Sequence, residues 1–230
     1  MGTVTILEET TKNPITLIGK RAGICWGADI TDDEKNYKRG IECILSNHWI
    51  TFEFVNIEMV LDGYSARVIR EWYTHIGGSP TRLQASTRYI NYNDFDFVAP
   101  KSVKNNKDND AWESYIKAIK TNKKSCQELS NSGIPREDIG MLLPLGMTTK
   151  IVDKRNLRNV IDMSKNRKCT RAYWEFRELF NDVEKELSKV SDEWKWIVDN
   201  LFMPKCEQLG YCPEKRGCGR KPQKKERELK

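Results

Sequence analysis

Apolar and polar residues alternate along residues 48–61, with Thr51, Glu53, Val55, Ile57, Met59 and Leu61 on one face and Phe52, Phe54, Asn56 and Glu58 on the other. A period of two turns successive side chains to opposite faces, so this segment is predicted as a long strand. The period then lengthens. Over residues 64–75, Tyr64, Val68 and Trp72, with Ile69 and Tyr73, form an apolar stripe at helical spacing. Upstream, residues 4–7 are predicted as a short strand. Thr31-Asp32-Asp33-Glu34 has capping-box spacing, which predicts a helix with Tyr37, Ile41 and Leu45 on one face. Downstream, Gly77, Gly78 and Pro80 break the chain into a loop over residues 76–81, and residues 86–97 are aromatic and irregular. A helix is predicted over residues 110–129, and another from Pro135, at a first-turn position, to a stop at Leu143-Pro144. A strand over residues 148–152 and helices over 156–165 and 170–189 follow.

These elements make a mixed α/β (α+β) fold. About three to four useful strands form a small antiparallel or mixed sheet flanked by helices, thin enough to need surface from neighbouring copies. The 230 residues suffice for one core. The expected division is a main domain over residues 1–203 and a cysteine-containing extension with a basic tail over 204–230. A mean hydropathy of −0.68 and the lack of an apolar run near ~18 residues exclude a membrane-spanning helix. Residues 1–9 lack a basic start followed by an apolar stretch, so no signal peptide is expected and the cytoplasm is the expected compartment.

Charge changes this picture little. Of the net +6, +4 falls within residues 220–230, leaving a nearly neutral body. Duplex DNA binding is therefore not implied, and the tail is read as a solvated segment, with a nucleic-acid arm as the alternative. Seven cysteines, an odd count, do not suit a secreted disulfide framework. Reduced thiols, with or without a metal clip near the C-terminus, suit them better.

The common catalytic patterns are missing. His48 and His75 are the two histidines and neither has a metal-spaced partner. Nucleophile-elbow, Walker and dinucleotide-binding glycine motifs are also lacking. What remains is the segment from Arg70 to Tyr89, which gathers arginines, His75, several hydroxyls and an amide around the Gly77-Gly78 loop. Guanidinium forks and loop amides are what phosphate recognition requires, although an ordinary polar loop has the same composition. A second group, Asn156, Arg158 and Asp162 with Arg167 and Arg171, lies on or between two helices. The first three span about one and a half turns and can line one side of a cleft.

Together these residues carry a resemblance. Gln84-Ala85-Ser86-Thr87-Arg88-Tyr89 resembles the end of the flavin-dependent thymidylate synthase signature, Arg-His-Arg-x-x-Ser-x-Asn-Glu-x-Ser-x-Arg-Tyr. Asn47-His48 before Phe52-Glu53 resembles that family's His followed by Thr-Pro-Phe-Glu. Residues 132–144, with Arg136-Glu137 and Leu143-Pro144, resemble its Gly-x-x-Arg-Glu-x-Ala-Arg-x-x-Leu-Pro. Asn156-Leu157-Arg158, Arg167 and Ala172-Tyr173-Trp174-Glu175-Phe176 resemble its Asn-x-Arg, lone Arg and Ala-Gln-Trp-Glu-Ile. The order holds from about residue 4 to 190.

The resemblance implies a thymidylate synthase-complementing-protein-like fold and reductive methylation of dUMP to dTMP. Methylenetetrahydrofolate supplies the carbon, and FAD reduced by NADPH supplies the hydride. It implies that Arg167 and Ser86 are catalytic, and that Glu71, Thr74, Gln84, Ser86, Arg88 and Arg167 bind the nucleotide. It places His48, His75, Arg82, Gln84, Asn156, Arg158 and Asp162 toward the cofactor, between subunits of a homotetramer. The chain departs from the pattern: two extra residues separate His75 from Ser86, and the Asn-Glu pair becomes Leu83-Gln84. Arg-His-Arg becomes Thr74-His75-Ile76, Ala-Arg becomes Ile139-Gly140, and the Gln of Ala-Gln-Trp-Glu becomes Tyr173. Arg82 and the Gly77-Gly78 amides are expected to replace part of the lost charge. An enzyme hydroxymethylating its substrate or acting on dCMP, and a non-catalytic nucleotide- or nucleic-acid-binding relative, stay open as alternatives.

Beyond the matched region, Cys206, Cys212 and Cys218 recur at equal steps with Gly and Pro between them. With Cys169 as a fourth thiolate they can wrap a structural zinc, or all four can be free.

Overall fold

The computed structural model of the chain describes residues 2–106 and 110–224. The last residues of the basic tail, from 225 on, lie outside the described residues. The elements run β1 (Thr3–Ile6), α1 (Pro14–Cys25), α2 (Asp33–Leu45), a 3₁₀ turn (Trp49–Phe54), β2 (Asn56–Ser65), α3 (Ala66–Trp72) and β3 (Thr81–Gln84). They continue with α4 (Lys101–Lys104), α5 (Asp110–Asn131), α6 (Arg136–Ile139), a second 3₁₀ turn (Gly140–Leu142), β4 (Thr148–Asn156), α7 (Leu157–Arg167), α8 (Trp174–Leu187), α9 (Asp192–Leu201) and α10 (Lys205–Leu209). The four strands form one antiparallel sheet in the order β1-β2-β4-β3. The small sheet flanked by helices agrees with the expected fold class.

The alternation predicted over residues 48–61 holds only from Val55. Val55, Ile57, Met59 and Leu61 are fully buried on one side, but residues 49–54 wind into a 3₁₀ turn. The His48 carbonyl accepts from both the Thr51 amide (3.1 Å) and the Thr51 hydroxyl (2.8 Å), closing an i to i+3 ring that a strand cannot keep. On α2 the cap is Asp32, not Thr31: its carboxylate accepts from the Lys35 amide at 3.1 Å. The buried face is Asn36, Gly40, Cys43 and Ile44, while Leu45 is 72% exposed.

That shift has a packing cause. A Cβ at Gly19 of α1 would sit 1.8 Å from the Asn36 carbonyl oxygen, and one at Gly40 of α2 would sit 2.0 Å from that of Ile15. The two helices therefore touch backbone to backbone along the glycine face of α2.

The main core joins Ile57, Met59 and Leu61 of β2 with Val68, Ile69 and Trp72 of α3, Ile15 and Ile18 of α1, and Phe176, Leu179 and Phe180 of α8. A smaller cluster, Phe95, Ile119 and Met147, lies under α5. On the solvent face of the sheet, Glu58 and Asp62 sit directly opposite Lys154 and Lys150 and pair with them at 2.9 and 2.6 Å. The core face of β4 differs from an ordinary apolar strand. Asp153 and Arg155, both fully buried at the side chain, occupy alternate positions there and bind each other through two contacts of 2.5 and 2.8 Å.

Candidate active site

The site grows from the end of α3 and the two ends of α7. Ser65 caps α3 by accepting from the Val68 amide at 3.1 Å, and the buried Glu175 carboxylate of α8 holds Ser65 in turn through its amide and hydroxyl. The helix ends at Trp72 and places Glu71 and, after one turn of coil, His75 beside the last residue of α7. There Arg167 donates from Nε to His75 Nε2 at 2.9 Å and from Nη1 to Glu71 Oε2 at 3.1 Å. Its guanidinium lies 4.6 Å from the Phe176 ring centroid, and the His75 ring meets the same phenyl edge-on at 5.8 Å.

The charge state of His75 follows from these neighbours. Burial disfavours the cation first, and the positive charges of Arg167 and Arg155 disfavour it further, lowering its pKa from 6.5 to about 4. At neutral pH the ring is uncharged and its Nε2 carries the lone pair that Arg167 needs. Three groups thus fix one guanidinium: a neutral imidazole, a carboxylate and a phenyl face.

The other end of α7 builds the adjoining loop. Asn156 caps α7 by accepting from the Asn159 amide at 2.9 Å. The Asn159 side chain donates to the Gly77 carbonyl at 2.7 Å and accepts from Arg155 Nη1 at 2.6 Å. The buried Asp153–Arg155 pair therefore ends on the glycine loop, with Arg155 also stacked 4.4 Å from Trp72. Gly78 holds φ +71, and a Cβ there would lie 2.2 Å from Asn156 Nδ2.

A cavity of about 280 Å³ opens at this point. Its walls are the bare backbone at Gly77 and Gly78, Arg158 paired with Glu53 at 2.6 Å, Asn156 with Asn159, and Asp162. Guanidinium and amide donors suit a diphosphate, and the carboxylates suit ribose hydroxyls. The volume suits one polar segment of a flavin dinucleotide and not the whole molecule.

Of the residues singled out in the sequence, Glu71, His75 and Arg167 meet at one end of α7, and Asn156, Arg158 and Asp162 line the cavity at the other. Thr74 stays local, its hydroxyl donating to the Glu71 carbonyl at 2.7 Å. His48 is exposed at the start of the 3₁₀ turn that carries Glu53. Arg82 turns to Tyr73, donating to its carbonyl at 2.8 Å and stacking on its ring at 4.5 Å, and does not line the glycine-loop cavity.

Gln84, Ser86 and Arg88 form a separate group. Gln84 bonds Thr149, the Ser86 hydroxyl accepts from the Arg88 amide, and Arg88 pairs with Glu137 at 3.0 Å. Gln84 sits opposite Ile151 in the sheet, five strand residues or ~17 Å from Asn156. Sequence reasoning missed Asn159, Glu53 and the Asp153–Arg155 pair. The readable signal was two charges at period two on the buried side of β4.

Cys169, Cys206, Cys212 and Cys218 line one further cavity of about 230 Å³, which also touches Arg167. Their thiols are free, and among the described residues no three His, Cys, Asp or Glu side chains are gathered so as to hold a metal ion. No helix among the described residues is long and apolar enough to cross a membrane.

Comparison with known proteins bears on all of these groups. The family model described as thymidylate synthase complementing protein matches residues 6–191. A flavin-dependent thymidylate synthase from Pyrococcus furiosus is 31% identical over 234 residues, covering 95% of this chain and 94% of the relative. One from Pyrococcus abyssi is 34% identical over 76% of the chain and 69% of the relative, and one from Clostridium tetani is 26% identical over 96% and 94%.

Proposed function

The chain belongs to the family of thymidylate synthase complementing proteins, the flavin-dependent thymidylate synthases, and on that premise we propose that it converts dUMP to dTMP. The observation that carries the proposal is Arg167, held by His75 and Glu71 at the position of the family's lone arginine.

Arg167 grips the edge of the pyrimidine and stabilises negative charge developing on the ring. A guanidinium fixed before the reaction loses nothing to reorganisation, which makes such a group effective. His75 stays neutral and accepts from Nε, which leaves the Nη donors to Glu71 and the substrate. Glu71 takes the second bond and restrains the guanidinium from turning.

Arg158, Asn156, Asp162 and the Gly77-Gly78 backbone hold the polar part of FAD, with Arg82 steadying the turn at Tyr73 and His48 bordering the folate side. Bound there, FAD supplies the hydride drawn from NADPH, while methylenetetrahydrofolate supplies the carbon. Gln84, Ser86 and Arg88 are engaged with Thr149, with each other and with Glu137, and none of them bonds to Arg167, His75 or Glu71. In this reading they reach the nucleotide of a neighbouring copy, Arg88 on its phosphate and Ser86 beside the ring, in a cytoplasmic homotetramer whose catalytic unit is residues 1–203. The exposed side chains of Leu83 and Tyr89 around this group, at 72% and 75%, support an interface there.

Thr74, Ile76 and Gly140, where the family pattern has arginines, favour a second reading, in which the base or product differs: dCMP as substrate, or a hydroxymethyl product. Purified protein supplied with FAD, NADPH, methylenetetrahydrofolate and either dUMP or dCMP separates the readings by nucleotide chromatography. dTMP formed from dUMP and lost in Arg167→Ala supports the first. Product from dCMP alone, or a hydroxymethylated one, supports the second, and no product from either contradicts both.

A further inference from the structure

Seven cysteines are spread over the chain, and four of them, Cys169, Cys206, Cys212 and Cys218, line a single cavity. They come from three places: the connection after α7, the short helix α10, and the segment beyond it. The other three are elsewhere, Cys25 exposed at the end of α1, and Cys43 and Cys126 buried in α2 and α5.

The segment that carries three of the four has little else to order it. No residue from 205 to 224 is buried, so no apolar core fixes it. What holds it is a backbone bond from the Cys212 amide to the Pro222 carbonyl at 2.7 Å, side-chain bonds from Gln223 to the Glu214 and Lys215 carbonyls, and surface ion pairs such as Arg171–Glu214 at 3.4 Å. Exposed pairs of this kind contribute little. Small segments in this position are commonly closed by a metal.

We infer that Cys169, Cys206, Cys212 and Cys218 bind a zinc ion that clamps the C-terminal segment onto the turn following Arg167. Four sulfur ligands are the soft tetrahedral set that zinc takes in structural sites. On binding, the four thiols release their protons to solvent and no electron moves. The resulting centre carries two negative charges, and the cavity is lined by the cations that balance them: Arg171, Arg216, Arg220, Lys205 and Lys221 against Glu214. The four thiols line the wall of one cavity without converging on a point, so binding requires the segment from Cys206 to Cys218 to draw in toward Cys169. Closure reaches the active site directly, because Cys169 follows Arg167 by two residues and Arg220 donates to the Lys168 carbonyl.

The test is metal analysis of full-length protein purified without chelator, together with mercurial titration of the native protein. The expected result is about one zinc per chain, released as about four thiols are consumed. The zinc is lost in Cys169→Ser and Cys212→Ser and kept in Cys25→Ser. The titration needs no variant and keeps the inference testable if the serine variants do not fold. Zinc below about a tenth per chain, zinc retained by both serine variants, iron with labile sulfide, or a mass lower by the two hydrogens of a disulfide would each overturn it.

Discussion

Arg167 and His75 share one hydrogen bond in which the arginine is the donor, Nε to Nε2 at 2.9 Å, across 92 residues of sequence. The direction of that bond settles the protonation of both partners. It also sets a relation between pH, stability and substrate binding that is unusual for a histidine beside a carboxylate, since Glu71 binds the arginine and not the imidazole.

His75 is expected to titrate near its lowered value of about 4, against 6.5 in the unfolded chain. The folded protein then binds fewer protons than the unfolded one between these values. The contribution of His75 to stability is complete above about pH 6.5 and is lost as the pH falls toward 4. Heteronuclear NMR of nitrogen-labelled histidine reads this directly, and an imidazole protonated at pH 6 would contradict the geometry.

Arg167→Lys keeps the charge and loses the fork. The expected loss in kcat/KM for the nucleotide is ~10²–10³-fold, with thermal unfolding lowered by roughly 2–4 °C per kcal/mol of the ~1–3 kcal/mol lost at the bond to His75. His75→Ala should cost less, ~10-fold, since the bond to Glu71 survives. Steady-state kinetics on the two variants would show the opposite order if His75 itself acted on substrate.

Asn159→Ala removes the link between Arg155 and the Gly77 carbonyl. Leaving a buried guanidinium nitrogen short of an acceptor should cost ~1–3 kcal/mol. The reading is a lower melting temperature together with weaker flavin retention. Asp153→Asn should cost more, ~3–5 kcal/mol, by leaving Arg155 buried without its counter-charge.

Gly78→Ala forces a Cβ into Asn156 at a backbone angle of φ +71. Strain of ~1–2 kcal/mol is expected from the left-handed conformation alone, and the glycine-loop cavity should deform. Fluorescence titration with FAD should show weaker affinity in this variant, while Gly27→Ala, whose Cβ would meet nothing within 4 Å, should leave it unchanged.

Much of this arrangement is legible in the sequence. The alternation from Val55 to Leu61 marked the central strand and its buried face, and Asn156 with Arg158 and Asp162 marked one wall of a cavity. What was hidden depended on partners far along the chain. The helix Pro14–Cys25 has no cap of its own; Glu193 supplies it, its carboxylate accepting from the Ile15 and Thr16 amides at 2.6 and 3.0 Å from 178 residues away. Its signal, Pro14 followed by Ile15, Ile18 and Ala22, was present but short. The Asp153–Arg155 pair interrupts the apolar pattern of β4, which made the strand look as if it ended at Val152. The turn at residues 49–54 followed local hydroxyl bonding against the alternation.

The most direct test is the visible spectrum of the purified protein, with released flavin identified and dUMP then titrated in. The account predicts a flavin band near stoichiometry that shifts on dUMP addition, with the shift lost in Arg167→Ala. A colourless protein that takes up no added FAD, or a band indifferent to dUMP, would contradict it.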